Sequence, residues 1–391
     1  MTNSYAPLAI HDYVERALKT DRGTDNRSLT FPLLGLFGET GSLLSEVKKK
    51  QRDEVSYIGY SANVVEEFGD VLWYLTVVAA RGGLGLADIA ANLGVDDRDG
   101  KSLPGSTLTF AALQPEHMPQ LGKPTPAFEH QLLQLAGEVG LLIIDQQAGR
   151  LKDNPPALTG RLLAILRTLV QAANDAGVTL EAAAVKNLHK TRDRWPEVKE
   201  HAPPLDHQAK AEEQLPRRLS IEIFEREVGG KVYVFQRCNE INIGDRLTDN
   251  AVRADDYRFH DVFHYAYAAV LGWSPVMRAL FRLKRKSDPA IDDAEDGARA
   301  ILIEEGIATW LFGQAKELNF FDGVNAGELP FDMLKNVRQF VKGYECDELP
   351  LWLWEDAILQ GYAAFRFLQQ HRRGKITMDM INHTLNIEPL P

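Results

Sequence analysis

The chain has little cysteine, no long apolar run and no basic tract, and each shortage removes a class of protein. Its 391 residues include only two cysteines, Cys238 and Cys346, which cannot build the disulfide framework of a small secreted scaffold. No apolar segment reaches the roughly 18 to 20 residues that a membrane helix needs. The N-terminus lacks the basic-then-apolar pattern of a signal segment. Lysine and arginine number 44 against 55 acidic residues, a formal net charge of -11, and no long Lys/Arg run occurs. Avid binding of duplex nucleic acid is therefore not expected, whereas small phosphorylated ligands remain open. A cytoplasmic enzyme with no membrane partner is the expected class, and nothing in the composition argues against a homo-oligomer. At 45% apolar and 25% charged residues, the chain can bury the cores of two or three domains.

Proline marks the divisions. Pro104, Pro115, Pro119, Pro124 and Pro126 punctuate a stretch that reads as a linker over 96–126. A second proline-bearing linker covers 197–216, with Pro203, Pro204 and Pro216. From residue 217, Leu219 to Glu227 and Lys231 to Cys238 flank Gly229-Gly230, which predicts a short β-hairpin. The remainder to Pro391 reads as mostly helical by periodicity.

Two acidic clusters stand out between residues 36 and 75, Gly38-Glu39-Thr40-Gly41 through Glu46, and Glu66-Glu67-Phe68-Gly69-Asp70 running into Val71-Leu72-Trp73-Tyr74-Leu75. Carboxylates at i, i+3 or i, i+7 share a helix face. Glu39 with Glu46, and Glu67 with Asp70, can thus be aimed from two antiparallel helices into one cleft. Like charges held this close raise one another's pKa unless a cation compensates, and oxygen-only ligands suit Mg²⁺ or Mn²⁺ better than zinc.

The two regions before residue 197 read as copies. Leu36-Phe37-Gly38-Glu39-Thr40-Gly41 matches Leu135-Ala136-Gly137-Glu138-Val139-Gly140, Glu46 falls opposite Asp145, and Gly83 to Leu93 parallels Gly177 to Leu188. The repeat length is about 95 to 99 residues. Aligned on the downstream block, Glu67 and Asp70 face Arg161 and Ala164, so one carboxylate centre is expected, in the first copy.

Gly35-Leu-Phe-Gly-Glu-Thr-Gly41, followed by Glu67-Phe-Gly-Asp70-Val-Leu-Trp-Tyr-Leu, resembles the MazG-type family of all-α nucleoside triphosphate pyrophosphohydrolases. Their pattern is Glu-x-x-Glu, a spacer and Glu-x-x-Asp, with a tail of Asn, Lys and a basic pair before Pro. That tail stands here only in the second copy, as Asn187-Leu-His-Lys190-Thr-Arg192-Asp-Arg194-Trp-Pro196. The resemblance covers residues 25 to 196. It implies MazG-like four-helix-type repeats at 1–95 and 127–196 forming a pseudo-dimer, the second degenerate; with the mostly helical domain and short β-hairpin that periodicity gives at 217–391, the chain is expected to be mainly α. The family's second glutamate is Ser42 here. Glu46, one further turn along, is the favoured replacement, with Glu66 as the other.

The same resemblance implies a composite site. Glu39, Glu46, Glu67 and Asp70 of the first copy would hold Mg²⁺, or Mn²⁺. Lys190 and Arg194 of the second would meet phosphate charge and Asn187 sugar or phosphate. Trp73 can stack on a base or simply fill the core. The substrate would be a nucleoside triphosphate, (d)NTP, cleaved to monophosphate and pyrophosphate.

The half after residue 216 carries no resemblance that names a family. It holds Arg258-Phe-His260-Asp261-Val-Phe-His264 and, about 40 residues on, Ile303-Glu304-Glu305-Gly306. His260 and His264 at i, i+4, with Glu304 or Glu305 as a third ligand, have the residue types of a Zn²⁺ triad. The competing reading is a structural His260-Asp261 hydrogen-bonded pair. Two functions follow from the whole chain: a Mg²⁺-dependent pyrophosphohydrolase, or a nucleotide-sensing module whose core has decayed and whose output lies in the C-terminal half.

Overall fold

The computed structural model describes residues 6–23, 28–93, 107–115, 119–120 and 122–390. The described residues form a mainly α protein with one small antiparallel sheet, and divide into two compact units, Met1–Arg192 and Asp193–Pro391. No helix among them is long and apolar enough to cross a membrane.

The first unit is built on two long helix pairs. α1 (Ile10–Leu18) precedes α2 (Thr30–Asp53) and α3 (Tyr60–Arg81), then come the short α4 (Leu86–Ala91) and α5 (Phe110–Leu113), and α6 (Pro126–Gln147), α7 (Pro155–Ala176) and α8 (Leu180–Arg194) complete the set. α2 packs on α3, α6 on α7, and α2 also on α6. Their starts follow from local chemistry. The Thr125 hydroxyl accepts the Phe128 N–H at 3.1 Å ahead of Pro126, and the Asn154 side chain accepts the Ala157 N–H at 3.3 Å ahead of Pro155, so a side-chain cap satisfies an orphan donor while proline supplies a helical φ. Val64, Phe68, Val71, Leu72 and Leu75 of α3 are buried with Leu36 and Leu43 of α2 and with Leu132, Leu135 and Val139 of α6. Burial of side chains of this size contributes about 1.5 to 3 kcal/mol each. It also leaves the polar sides of α2 and α3 to carry the acidic residues.

Of the 96–126 stretch, residues 96–106, 116–118 and 121 lie outside the described residues. The described part is anchored: Ala9 and Thr109 form an isolated antiparallel bridge, and the Gln114 side chain accepts the Leu180 N–H at 2.7 Å and donates to the Val178 carbonyl at 2.9 Å.

The second unit joins a five-stranded sheet to helices. β1 (Arg218–Val228), β2 (Lys231–Cys238) and β3 (Ile241–Leu247) precede α9 (Asp261–Ala266), which runs into a π-helical turn at Tyr267–Leu271. α10 (Pro275–Leu280), α11 (Pro289–Ala294), α12 (Ala298–Glu317), α13 (Phe331–Phe340) and α14 (Leu351–His371) follow, and β4 (Arg373–Asp379) with β5 (Thr384–Glu388) end the unit. The hairpin of β1 and β2 turns at Gly229 and Gly230, whose φ of 62° and 77° are left-handed values that glycine adopts at little cost. The sheet is larger than a hairpin, with the order β3-β2-β1-β4-β5, antiparallel throughout. The final segment is therefore strand rather than helix. Gly374, Ile376 and Met378 alternate inward and pair with Ile223, Ile221 and Leu219 of β1, a partner so remote in sequence that short-range periodicity cannot see it. α9 and α14 pack together around Phe263, Tyr362 and Phe365.

Candidate metal centre

Glu67 and Asp70 sit three residues apart on α3, and α2 brings Glu39 to the same place. One carboxylate oxygen from each lies within 4.8 Å of the others. Glu67 Oε2 is buried and accepts no hydrogen bond from any N–H or O–H donor. Burial, then Asp70 and Glu39, push the Glu67 carboxyl up to about 8, and burial, then Asp70, raises Glu39. Asp70 is also raised by burial, against the opposing pull of Lys190 and Asn187. Three carboxyls held against their own repulsion, one with an unmatched buried oxygen, form a donor set that a hard divalent cation fits.

The third element at this site is α8, from the far end of the same unit. Asn187 Nδ2 donates to Asp70 Oδ1 at 3.0 Å, while Asn187 Oδ1 accepts from the Tyr13 hydroxyl of α1 at 3.3 Å. Lys190 Nζ lies 2.5 Å from Asp70 Oδ2 and 3.0 Å from Glu66 Oε1. Burial alone would lower the Lys190 pKa, but Asp70 and Glu66 outweigh it and keep the ammonium charged. The contact depends on Gly69. A Cβ there would lie 2.6 Å from the Ala183 carbonyl oxygen and 3.0 Å from the Asn187 Cβ, so only a bare backbone lets α8 pack this close to α3.

Glu46 does not join the cluster. It is buried, and its oxygens take hydrogen bonds from Lys49 Nζ at 2.7 Å, Asn63 Nδ2 at 3.3 Å and the Tyr57 hydroxyl. The physical reason is axial rise: a residue at i+7 shares the face of Glu39 but lies about 10 Å further along the helix. Ser42, at the position of the missing family glutamate, lies beside Glu39 and only weakly opposes the rise in its pKa that burial and Asp70 cause. Glu66, the other replacement, faces Lys190 and Lys186 and is not among the three clustered carboxylates.

Two further expectations change. Arg194 is not at the carboxylates but buried in the second unit, donating to the Gly327 carbonyl at 3.3 Å and to that of Leu329, with Glu355 at 4.0 Å. Trp73 is half-buried, its indole N–H shared between the Ala17 carbonyl at 3.1 Å and the Thr20 hydroxyl at 3.0 Å. Those bonds fasten α1 to α3, which is a packing role.

The second unit holds another cluster, His260, Asp261 and His264, whose ligand atoms also lie within 4.8 Å of one another. Glu304 is not a third ligand. It is fully buried, and its Oε1 meets His264 Nδ1 at 2.8 Å and the Ser274 hydroxyl at 2.7 Å while Oε2 accepts the Val276 N–H at 2.8 Å. Its neighbour Glu305, about 100° round α12, places one carboxylate oxygen near both Nε2 atoms, 3.5 Å from His264 and 3.7 Å from His260. Burial lowers the His264 pKa by itself, yet Glu304 and Glu305 raise it overall, whereas burial dominates at His260 and lowers it.

No curated protein and no solved structure matches the chain. A family model does match, over residues 200–391, and its description is the MazG C-terminal domain. The match thus falls on the half for which the sequence alone names no family, and it relates that half of the chain to MazG proteins.

Proposed function

We propose that the first unit is a Mg²⁺-dependent nucleoside triphosphate pyrophosphohydrolase, converting an NTP or dNTP and water to the monophosphate and pyrophosphate. The observation that carries this reading is the meeting of Glu39, Glu67 and Asp70 with Asn187 and Lys190 at one point. The MazG-domain match in the second unit agrees with it.

Glu39, Glu67 and Asp70 would hold the cation, which when bound supplies charge neutralisation on phosphate oxygens and a more acidic water. Mn²⁺ has the same oxygen preference. Asn187 fixes the rotamer of Asp70, and Tyr13 fixes Asn187. Lys190 pairs with Asp70 and Glu66, so its charge balances the carboxylate cluster beside which an anionic ligand would lie. The site draws on both copies, because the carboxylates come from α2 and α3 and the Asn-Lys pair from α8.

Ser42 supports a second reading, a nucleotide-binding module without turnover, because three carboxylates coordinate less strongly than four. Incubating the full chain with a panel of canonical and modified (d)NTPs and Mg²⁺ or Mn²⁺ separates the two. Release of monophosphate and pyrophosphate, lost in Glu67→Gln, is the expected result. Binding of triphosphate with no product from any member of the panel would leave the sensing module.

A further inference from the structure

We propose that His260, His264 and Glu305, with Asp261 beside them, form a second metal site that takes one divalent transition-metal ion of the zinc class. Four observations on this chain carry it, and none depends on the chemistry assigned to the first unit.

The spacing fits. Donors about 2.0 to 2.1 Å from a tetrahedral zinc lie roughly 3.3 Å from one another. Glu305 Oε2 stands 3.5 Å from His264 Nε2 and 3.7 Å from His260 Nε2, and His260 Nε2 stands 3.2 Å from Asp261 Oδ1. Small rotamer adjustments bring such a set onto one ion.

The imidazoles are oriented for it. His260 Nδ1 lies 2.9 Å from the Tyr257 carbonyl and His264 Nδ1 lies 2.8 Å from Glu304. Each outer nitrogen therefore faces an acceptor, the arrangement that fixes the ring and aims Nε2 at a metal, whose binding would release the Nε2 proton of His264. Tyr257 also stacks on His260, centroids 4.3 Å apart and planes 3° from parallel.

One donor is unmatched. His264 is 1% exposed, and its Nε2 has no hydrogen-bond partner. A buried imidazole nitrogen aimed at two carboxylates and a second imidazole without a bond of its own is a polar group that a cation would satisfy.

The carboxylates are supported and accessible. Gln236 of β2 donates its amide to Asp261 Oδ2 and accepts the Tyr265 hydroxyl on its own oxygen. Asp261 and Glu305 keep side-chain exposures of 20% and 38%, which leaves an approach for water or a ligand on that side. Two imidazoles, one carboxylate and an open position suit zinc, manganese or ferrous iron rather than magnesium.

The test uses the full chain carrying Glu67→Gln and Asp70→Asn, so that the first unit does not compete for metal. Stripped with a chelator and then equilibrated with Zn²⁺, it should retain about one ion per chain after gel filtration, undisturbed by excess Mg²⁺. Adding His260→Ala, or the half-exposed Glu305→Gln, should remove that ion with the helical circular dichroism unchanged. Glu304→Gln should weaken affinity roughly 10- to 100-fold by releasing the His264 ring. Co²⁺ should give visible absorption in the parent and not in Glu305→Gln. A folded parent that takes up no zinc overturns the site, and so does zinc retained equally by the His260 and Glu305 variants. Either result leaves His264 and Glu304 as a structural buried pair.

Discussion

The two long helix pairs of the first unit handle buried carboxylates in opposite ways. In α2 and α3, Glu39, Glu67 and Asp70 crowd together and are pushed up in pKa. In α6 and α7, the residue aligned with Glu67 is Arg161, and its Nε lies 2.6 Å from Asp145 Oδ2, with Arg150 on the other oxygen at 2.5 Å. Arg161 first, then Arg150, hold the Asp145 carboxyl below its usual range. The second pair supplies its own cation, whereas the first is left short of one. With Arg161 at the Glu67 position and Ala164 at the Asp70 position, the second pair neutralises its own carboxylate, while the first keeps three crowded ones. Gly69 marks the same divergence, because the aligned residue is Leu163, packed against the core.

The sharpest break of this contrast is at the carboxylates. Glu67→Gln or Asp70→Asn should lower kcat by several kcal/mol, about 10³-fold, through lost transition-state charge stabilisation, with helical content unchanged. Near-native turnover in both variants would remove them from the site.

Gly69→Ala tests whether α8 must pack on α3. The added Cβ meets backbone at Ala183, so α8 must shift, at a stability cost of about 1 to 3 kcal/mol. Misplaced Asn187 and Lys190 should reduce kcat roughly 10- to 100-fold. Thermal unfolding and steady-state kinetics read the two effects separately, and an unchanged kcat would detach α8 from the chemistry.

Stability against pH sharpens the same difference. Glu67 has a folded pKa of about 8, above its usual 4.5, so the folded state holds the proton more tightly than the unfolded chain. Its contribution to stability is full below about pH 4.5 and is lost as pH rises to about 8. Metal-free protein should lose stability across that window, Mg²⁺ should restore it at the upper end, and Glu67→Gln should flatten the slope. A metal-free stability that is flat in wild type, measured by denaturant titration at several pH values, would contradict the crowding.

The smallest effect is expected in the second pair. Arg161→Ala leaves Asp145 its bond to Arg150, and a partly exposed ion pair contributes little. The melting temperature should fall slightly and kcat should change by less than about twofold. A large loss of activity would mean that the second pair does more than scaffold.

Much of the candidate site was legible because it is local. Glu67 and Asp70 at i, i+3 must share a face of α3 whatever the rest of the chain does, and the apolar spacing around them fixes which face is buried. Glu46 departs from the expected cluster for a related reason. Helical phase says which side a residue is on, but not that Tyr57 and Asn63, beyond the end of α2, claim its oxygens. Glu304 and Glu305 differ by one position, and periodicity had no means to tell which would be buried against Ser274 and which would face the histidines. Arg194 lies in the same tail as Lys190, yet four residues further along α8 it already belongs to the second unit, where its surroundings are Leu329 and Glu355.

By itself the sequence determined the mainly α class, the Gly229-Gly230 hairpin and the unequal charge of the two helix pairs. Those follow from residue type and short-range spacing. Tertiary structure alone decided that Asn187 and Lys190 meet Asp70, that Gly69 is the point of closest approach, that Glu305 rather than Glu304 faces the histidine pair, and that β4 joins β1. Each of these is a contact between residues far apart in the chain, selected by the burial of two apolar faces at once.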